Sequence, residues 1–415
     1  MSRRVVVTGV GAVSPCGNTM DRTWEALLAG RSGIAPFTCI ETEGLKTHFG
    51  GECSDFDPML YWSKNEVRRH GRFTHLAVAA SAMAVESAGL ETADEGDRGG
   101  TFIGVGLGGM PEIVSSQMTL EGRGARRVSP YFILQAAPNL AAGEVAIRHG
   151  LRGTSFATSS ACTSGSHAIG EAFRAVRDGR VDYAIAGGAE AVITRLTIAG
   201  FNQMRALSVR NDAPTEASRP FDAGRDGFVL AEGAASLILE TEERAKARGA
   251  TIIAELRGYG TSTDAGHLTK PNDGGTGLAA AMRGALEDGE VAPSDVDYLN
   301  PHATATPAGD AAEAEATHAV FGSHATEGLL VSGTKSMTGH LLGASGALEA
   351  AIAVYTIRHG AVPPTLNLDT PDEAARGLDL VAGEAREQAV RYAMSSSTGF
   401  GGHNASMVFS APGLR

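Results

Sequence analysis

A chain of 415 residues, 43% of them hydrophobic, is long enough to bury one large core or two ordinary domains packed together. Lys and Arg number 35 against 47 Asp and Glu, and the net charge of -12 argues against sequence-independent binding of nucleic acid or of an anionic membrane. An acidic partner must therefore meet a local basic patch. The four cysteines, Cys16, Cys39, Cys53 and Cys162, have neither CxxC spacing nor the density of a disulfide framework, which points to a reducing, cytoplasmic setting. No uncharged apolar run reaches transmembrane length, and the N-terminus carries no export signal of the usual kind.

Taken in chain order, short β-branched runs alternate with alanine-rich segments of helical period, an α/β pattern. Residues 4–8 read as a strand, 74–88 as a helix, 100–107 as a second strand and 139–149 as a helix. The run SFATSSAC at 155–162 reads as a buried strand ending in a turn, followed by a helix over 163–177 closed by Asp178-Gly179, and a strand over 181–186. The charged stretch ETEERAK at 240–246 reads as the end of a helix and a connector. A strand-like run at 329–332, a small-residue turn and another alanine-rich helix then repeat the plan around Cys162, and residues 251–265 loosely echo the opening strand. The spacing suggests two similar βαβ halves, 1–250 and 251–415, with a site between them.

Cys162 falls at a strand-to-helix turn, where unpaired backbone N–H groups and the positive end of the helix favour thiolate and thioester chemistry; a small core cysteine is the plainer alternative. His302, in NPHATATPAGD, and His340, in GTKSMTGH, each end a strand-like run among small residues. Zinc held by Cys162, His302 and His340 is a rival reading, but no HxxxH or CxxC pair supports it. No GxSxG elbow supports a serine hydrolase. Residues 104–109 satisfy GxGxxG, although Pro111 and the missing acidic strand end weaken a dinucleotide site. Near the C-terminus, Ser395 to Asn404 form a glycine-rich stretch between strands at 390–394 and 405–409, either an oxyanion-hole loop or a tight hairpin.

Over essentially its whole length the chain resembles the β-ketoacyl-acyl carrier protein synthases of thiolase fold, most closely the elongating type II enzymes. The resemblance is carried by ACTSG around Cys162, RPFDAGRDGFVLAEGA at 219–234, HATATPAGD, KSMTGHLLGASGALE and GFGGHN. It implies a layered α/β/α/β/α body with Cys162 in the first half and both histidines in the second. Cys162 is then the acylated nucleophile, and His302 and His340 stabilise charge during decarboxylation of the malonyl thioester. Lys335 and Glu349 set the local hydrogen bonds, or form a structural ion pair. The Cys162 and Phe400 amides form an oxyanion hole beside a gate of Thr398, Gly399 and Phe400. Thr304 and Thr306 match phosphopantetheine-binding positions, Leu107 and Phe201 acyl-pocket positions, and residues 132–139 a homodimer interface. Arg68, Arg69, Arg126, Arg127 and Arg205 fall where an acidic acyl carrier protein docks. No metal and no cofactor is implied, since the substrates carry their own phosphopantetheine.

The chain departs from the family where Ala303 and Ala305 replace glycine and serine, Thr398 replaces phenylalanine and His403 replaces threonine. These changes suggest a looser gate, suited to unusual acyl chains. Within the same chemistry, a polyketide or polyene ketosynthase is the alternative to fatty acid synthesis. A thiolase would need a second cysteine late in the chain, and a non-catalytic chain-length subunit would lack Cys162.

Overall fold

The opening run VVVTGVGAV forms β1 (Val5–Val13), buried along its whole length in the computed structural model, which describes residues 3–92 and 96–414. Nine further strands join it: β2 (Gly99–Gly104), β3 (Ser155–Thr158), β4 (Tyr183–Glu190), β5 (Gly233–Thr241), β6 (Ala254–Thr263), β7 (Tyr298–Asn300), β8 (Leu330–Val331), β9 (Tyr392–Gly399) and β10 (His403–Ser410). Their order is β8-β7-β9-β10-β6-β1-β5-β4-β2-β3.

That order is one pattern used twice. Outward from β1 the neighbours are β5 and β4, each antiparallel to the last, then β2 and β3 in parallel. From β6 they are β10 and β9, antiparallel, then β7 and β8, parallel. The two five-strand units meet where Val5–Val7 pair with Ala254–Leu256. The echo between the opening strand and residues 251–265 thus corresponds to equivalent strands that touch.

Helices α1 (Arg72–Ala88) and α4 (Thr276–Asp288) cover the outer faces, α1 on β1 and β5, α4 on β6 and β10. Between the units lie α3 (Ser164–Arg177), against β4 and β2, and α7 (Ser345–His359), against β9 and β5. Further helices are α2 (Leu140–His149), α5 (Pro307–Phe321) and the single turn α6 (Lys335–Thr338). From Ser345 to Ile357 every residue of α7 is buried, which is why it is apolar all round rather than striped. The two central helices approach closely where a Cβ on Gly346 would lie 2.0 Å from Ser166 Oγ. A side chain there would push apart the two units that carry the site.

Three sequence expectations change. The run 155–162 is not a buried strand: β3 stops at Thr158, lies at the sheet edge and leaves Phe156 40% exposed. Residues 240–246 do not end a helix, because β5 runs to Thr241 and a helix starts only at Glu242. Glu240 is tolerated inside that buried strand because Arg244 and Arg248 both bind its carboxylate at 2.6 Å. The stretch 395–404 is the tight hairpin of the two readings, with longer strands than expected, since β9 and β10 pair up to Gly399 and His403 and leave only a turn at 400–402.

Candidate active site

Cys162 sits two residues before α3, with Ala161 in left-handed backbone at φ 53°. For an alanine that conformation costs about 1–2 kcal/mol, so the turn has to be held. Ser164 Oγ donates to Ala161 O at 2.6 Å, and Ser160 N donates back to Ser164 Oγ at 2.9 Å. The hairpin turn packs directly on this elbow: a Cβ on Gly399 would lie 2.9 Å from Ser160 O and 3.2 Å from Cys162 N. The close approach brings the Phe400 amide toward the sulfur, where it and the Cys162 amide both favour the thiolate.

His340 follows α6 and presents Nε2 3.1 Å from Cys162 Sγ, while Ser345 Oγ lies 2.8 Å from its Nδ1. His302 follows β7, and its ring meets that of His340 edge-on at 5.1 Å between centroids. Lys335 Nζ donates to His302 O at 2.5 Å and to His302 Nδ1 at 3.4 Å, and forms a buried ion pair with Glu349. Because Nδ1 receives that donor, the ring hydrogen is left on Nε2. His302 is thereby a donor.

Burial shapes the charges here. It pushes the Cys162 thiol up to about 12, with Glu190 adding to the rise and Lys335 and the two amides opposing it. The helix-terminus argument alone expected the opposite; desolvation outweighs it. Burial, reinforced by Lys335, also holds His302 and His340 well below the usual histidine range, so both rings are neutral at physiological pH. Glu349 is raised by burial to about 7 against the opposing pull of Lys335.

The Cys162 sulfur and the two imidazoles offer ligand atoms within 4.8 Å of one another, close enough to hold a metal ion. The Lys335 ammonium beside His302 opposes a dication there. The arrangement is better suited to hydrogen-bonding an oxygen that gains negative charge.

Several of the family-implied residues come together and others do not. Phe201 packs against Phe228, which meets the His340 ring, in the apolar cluster containing Cys162. Leu107 stays outside that cluster and is 42% exposed. Thr304 and Thr306 bring their hydroxyls within 3.1 Å of each other, beside His302. Thr398 lies at the end of β9 opposite Asn404. Arg68, Arg69, Arg126, Arg127 and Arg205 are all exposed, and none forms an ion pair among the described residues. Gln135 Nε2 donates to Arg68 O at 3.0 Å and Arg69 lies over the Tyr131 ring, so this basic segment adjoins the short helix Phe132–Ala136. Arg205 lies apart from these contacts, just past the helix Arg195–Gln203.

Sequence reasoning missed a set of buried carboxylates. Glu313 on α5 accepts from the His302 and Ala303 amides at 2.6 and 2.7 Å. Asp310 on the same helix accepts from Phe221 and Ala305. Together they hold a loop in which Ala303 and Ala305 have φ of 41° and 65°. Left-handed angles of this kind are ones that glycine adopts more readily than alanine. Glu190 accepts from Gly106, Leu107, Gly108 and Gly343 at 2.9 to 3.1 Å. The GxGxxG amides that could have cradled a phosphate are therefore filled by the chain's own carboxylate. An acidic run along α5 resembles a solvated face in sequence, and only the fold turns Asp310 and Glu313 inward.

With this geometry in view, the comparisons with known proteins agree. Residues 2–245 match the family model "Beta-ketoacyl synthase, N-terminal domain", and residues 253–369 match "Beta-ketoacyl synthase, C-terminal domain". The chain belongs to the β-ketoacyl synthase family. It is 47% identical over 409 residues to the 3-oxoacyl-[acyl-carrier-protein] synthase 2 of Coxiella burnetii, covering 98% of each chain. The corresponding enzyme of Staphylococcus aureus matches to the same extent. Among solved structures, a β-ketoacyl synthase from Burkholderia phymatum aligns with a TM-score of 0.92 at 38% identity over 100% of both chains. The ishigamide ketosynthase/chain length factor aligns with 0.93 at 34%, also over 100% of both. Like these relatives, this β-ketoacyl synthase is a condensing acyltransferase of thiolase fold.

Proposed function

We propose that this β-ketoacyl-ACP synthase extends acyl chains in fatty acid biosynthesis through Cys162, His302 and His340. The observation that carries the reading is the neutral His302–His340 pair converging beside Cys162, whose sulfur also meets the Phe400 and Cys162 amides. In the first half-reaction the Cys162 sulfur attacks the carbonyl carbon of an acyl-carrier thioester. A new C–S bond forms, the carrier's C–S bond breaks, and the thiol proton leaves with the carrier thiolate. The two amides bind the oxyanion, with Thr398 and Gly399 shaping the gate.

In the second half-reaction the malonyl thioester loses carbon dioxide. The electron pair of the broken C–C bond becomes an enolate whose oxygen is held by Nε2 of His302 and of His340. Its carbon attacks the acyl-cysteine, and the sulfur departs as thiolate and takes a proton from solvent to restore the thiol. Lys335 and Glu349 act by keeping His302 in its donor form. The substrates bring their own phosphopantetheine, bound by Thr304 and Thr306, so the reaction needs no cofactor. Phe201 and Leu107 belong to the acyl site in this reading, Leu107 at its exposed mouth.

One solved relative is described as a type II PKS acyl-carrier protein in complex with its ketosynthase, aligned at TM-score 0.88 and 32% identity over 99% of this chain. That precedent supports a carrier protein docking on Arg68, Arg69, Arg126, Arg127 and Arg205. The exposed edge of β3, with Phe156, and the exposed Ile133 and Leu134 support a homodimer. Four free cysteines and the lack of any membrane-length apolar helix among the described residues support the cytoplasm. The likeness to that type II PKS ketosynthase favours a second reading, the same chemistry in a polyketide or polyene pathway. Incubation with acyl carrier thioester, followed by intact-protein mass measurement, tests the nucleophile: an acyl adduct on Cys162 supports the synthase, and a folded protein without one indicates a chain-length subunit. Condensation across a panel of acyl chains then separates the two pathways.

A further inference from the structure

We propose that His167 is a positioning residue for acyl transfer, fixing the elbow that aims Cys162 and locking it to the hairpin that supplies the second oxyanion donor. The proposal rests on Cys162 as nucleophile and adds a residue to which the chemistry above gives no role. Ser160 Oγ lies 2.6 Å from His167 Nδ1, one helical turn into α3. Ser160 is also the residue that closes the elbow, since Thr163 Oγ1 donates to its carbonyl at 2.6 Å and to its hydroxyl at 3.1 Å. Most other side-chain bonds around the left-handed Ala161 stay within residues 158–164. A short-range set of that kind can shift as a unit.

His167 ties the set to something outside it. Its ring also meets that of His403, the first residue of β10, edge-on at 6.3 Å between centroids and opposite Gly399 in the register. A chain of contacts thus runs from β10 through the imidazole to Ser160 and the elbow. At its two ends are the two amides that meet the sulfur, those of Phe400 and Cys162. Their separation is what an oxyanion hole must hold constant. Burial pushes the His167 ring down to about 4, which keeps it neutral and able to accept from Ser160 Oγ at Nδ1. The ring borders a cavity of about 460 Å³ shared with Tyr259, Thr261 and His403, not the apolar cluster around Cys162, so it acts from behind the nucleophile.

The test separates the two half-reactions in His167→Phe, which keeps the ring's bulk and loses the hydrogen bond to Ser160. Single-turnover acylation of Cys162, followed by intact-protein mass, is expected to fall about 10- to 100-fold. Malonyl-carrier decarboxylation, which uses His302 and His340, is expected to stay within about threefold, since the elbow donors serve only acyl transfer. His167→Asn places an acceptor where Nδ1 was and should recover most of the acylation rate. Ser160→Ala should reproduce the loss and supplies the answer if His167→Phe does not fold. Acylation at the wild-type rate in His167→Phe and Ser160→Ala, or equal loss of both half-reactions without rescue by His167→Asn, overturns the proposal. Absence of any Cys162 adduct in the wild type would instead overturn the nucleophile assignment.

Discussion

Replacing Glu313 with alanine should uncouple function from stability. The carboxylate is the acceptor for two buried amides, those of His302 and Ala303, in a loop already held in left-handed backbone. Orphaning them costs about 1–3 kcal/mol each, or about 2–6 kcal/mol together. An opposing contribution comes from burying the acid, which raises it from the ordinary 4.5 to about 8. The folded protein holds that proton and the unfolded chain releases it, so the acid's contribution is fully present below pH 4.5 and lost as pH rises through about 8. At pH 7 the variant escapes a cost of about 3 kcal/mol, at about 1.4 kcal/mol for each pH unit between 4.5 and 7. The net loss of stability should therefore be no more than about 3 kcal/mol. Freed of its anchor, the His302 donor is misplaced, and loss of one such donor costs about 10²- to 10³-fold. Malonyl-carrier decarboxylation should fall to that extent while acylation of Cys162 changes by less than about threefold. Urea melts at pH 5 and pH 8 check the stability side: Glu313→Ala should lose less of its stability between these two values than the wild type does. Decarboxylation within threefold of wild type in a folded variant, or acylation falling in parallel, would refute the argument.

Ala303→Gly relieves about 1–2 kcal/mol of left-handed strain, loses about 0.8 kcal/mol of methyl burial and loosens the unfolded chain by about 0.4–1 kcal/mol. It should melt within about 1 kcal/mol of wild type, whereas Ala350→Gly in the middle of α7 should cost about 2 kcal/mol; equal losses would count against strain at 303. Glu190→Gln removes acceptors from amides in two segments, one of which carries Leu342 into the apolar cluster around Cys162. A drop in melting temperature with a changed acyl-chain profile is expected, and an unchanged profile would show that the Glu190 clamp does not shape the pocket. Thr398→Phe should narrow the range of acyl chains accepted, as read by condensation rates across a chain panel. An unaltered profile would mean that Thr398 does not loosen the gate.

Local pattern in the sequence was enough to find most elements, while the candidate reacting groups stood out only once the family resemblance was added to it. Small-residue turns at the ends of strand-like runs drew attention to Cys162, His302 and His340, because such turns are built from residues that tolerate tight backbone and helix starts. The echo of the opening strand at 251–265 marked the internal repeat, because equivalent strands face equivalent neighbours. What the tertiary structure alone decided is electrostatic and long-range. Whether Cys162 rests as a thiolate depends on how much water burial removes, and the helix-end argument could not weigh that. Glu190, Asp310 and Glu313 are ordinary acids in sequence; as anchors of main-chain amides they exist only once distant loops are brought together. The same holds for His167, whose ring partner His403 lies near the far end of the chain. Residue chemistry is local, but the dielectric around a group and the partners that satisfy it belong to the packed fold.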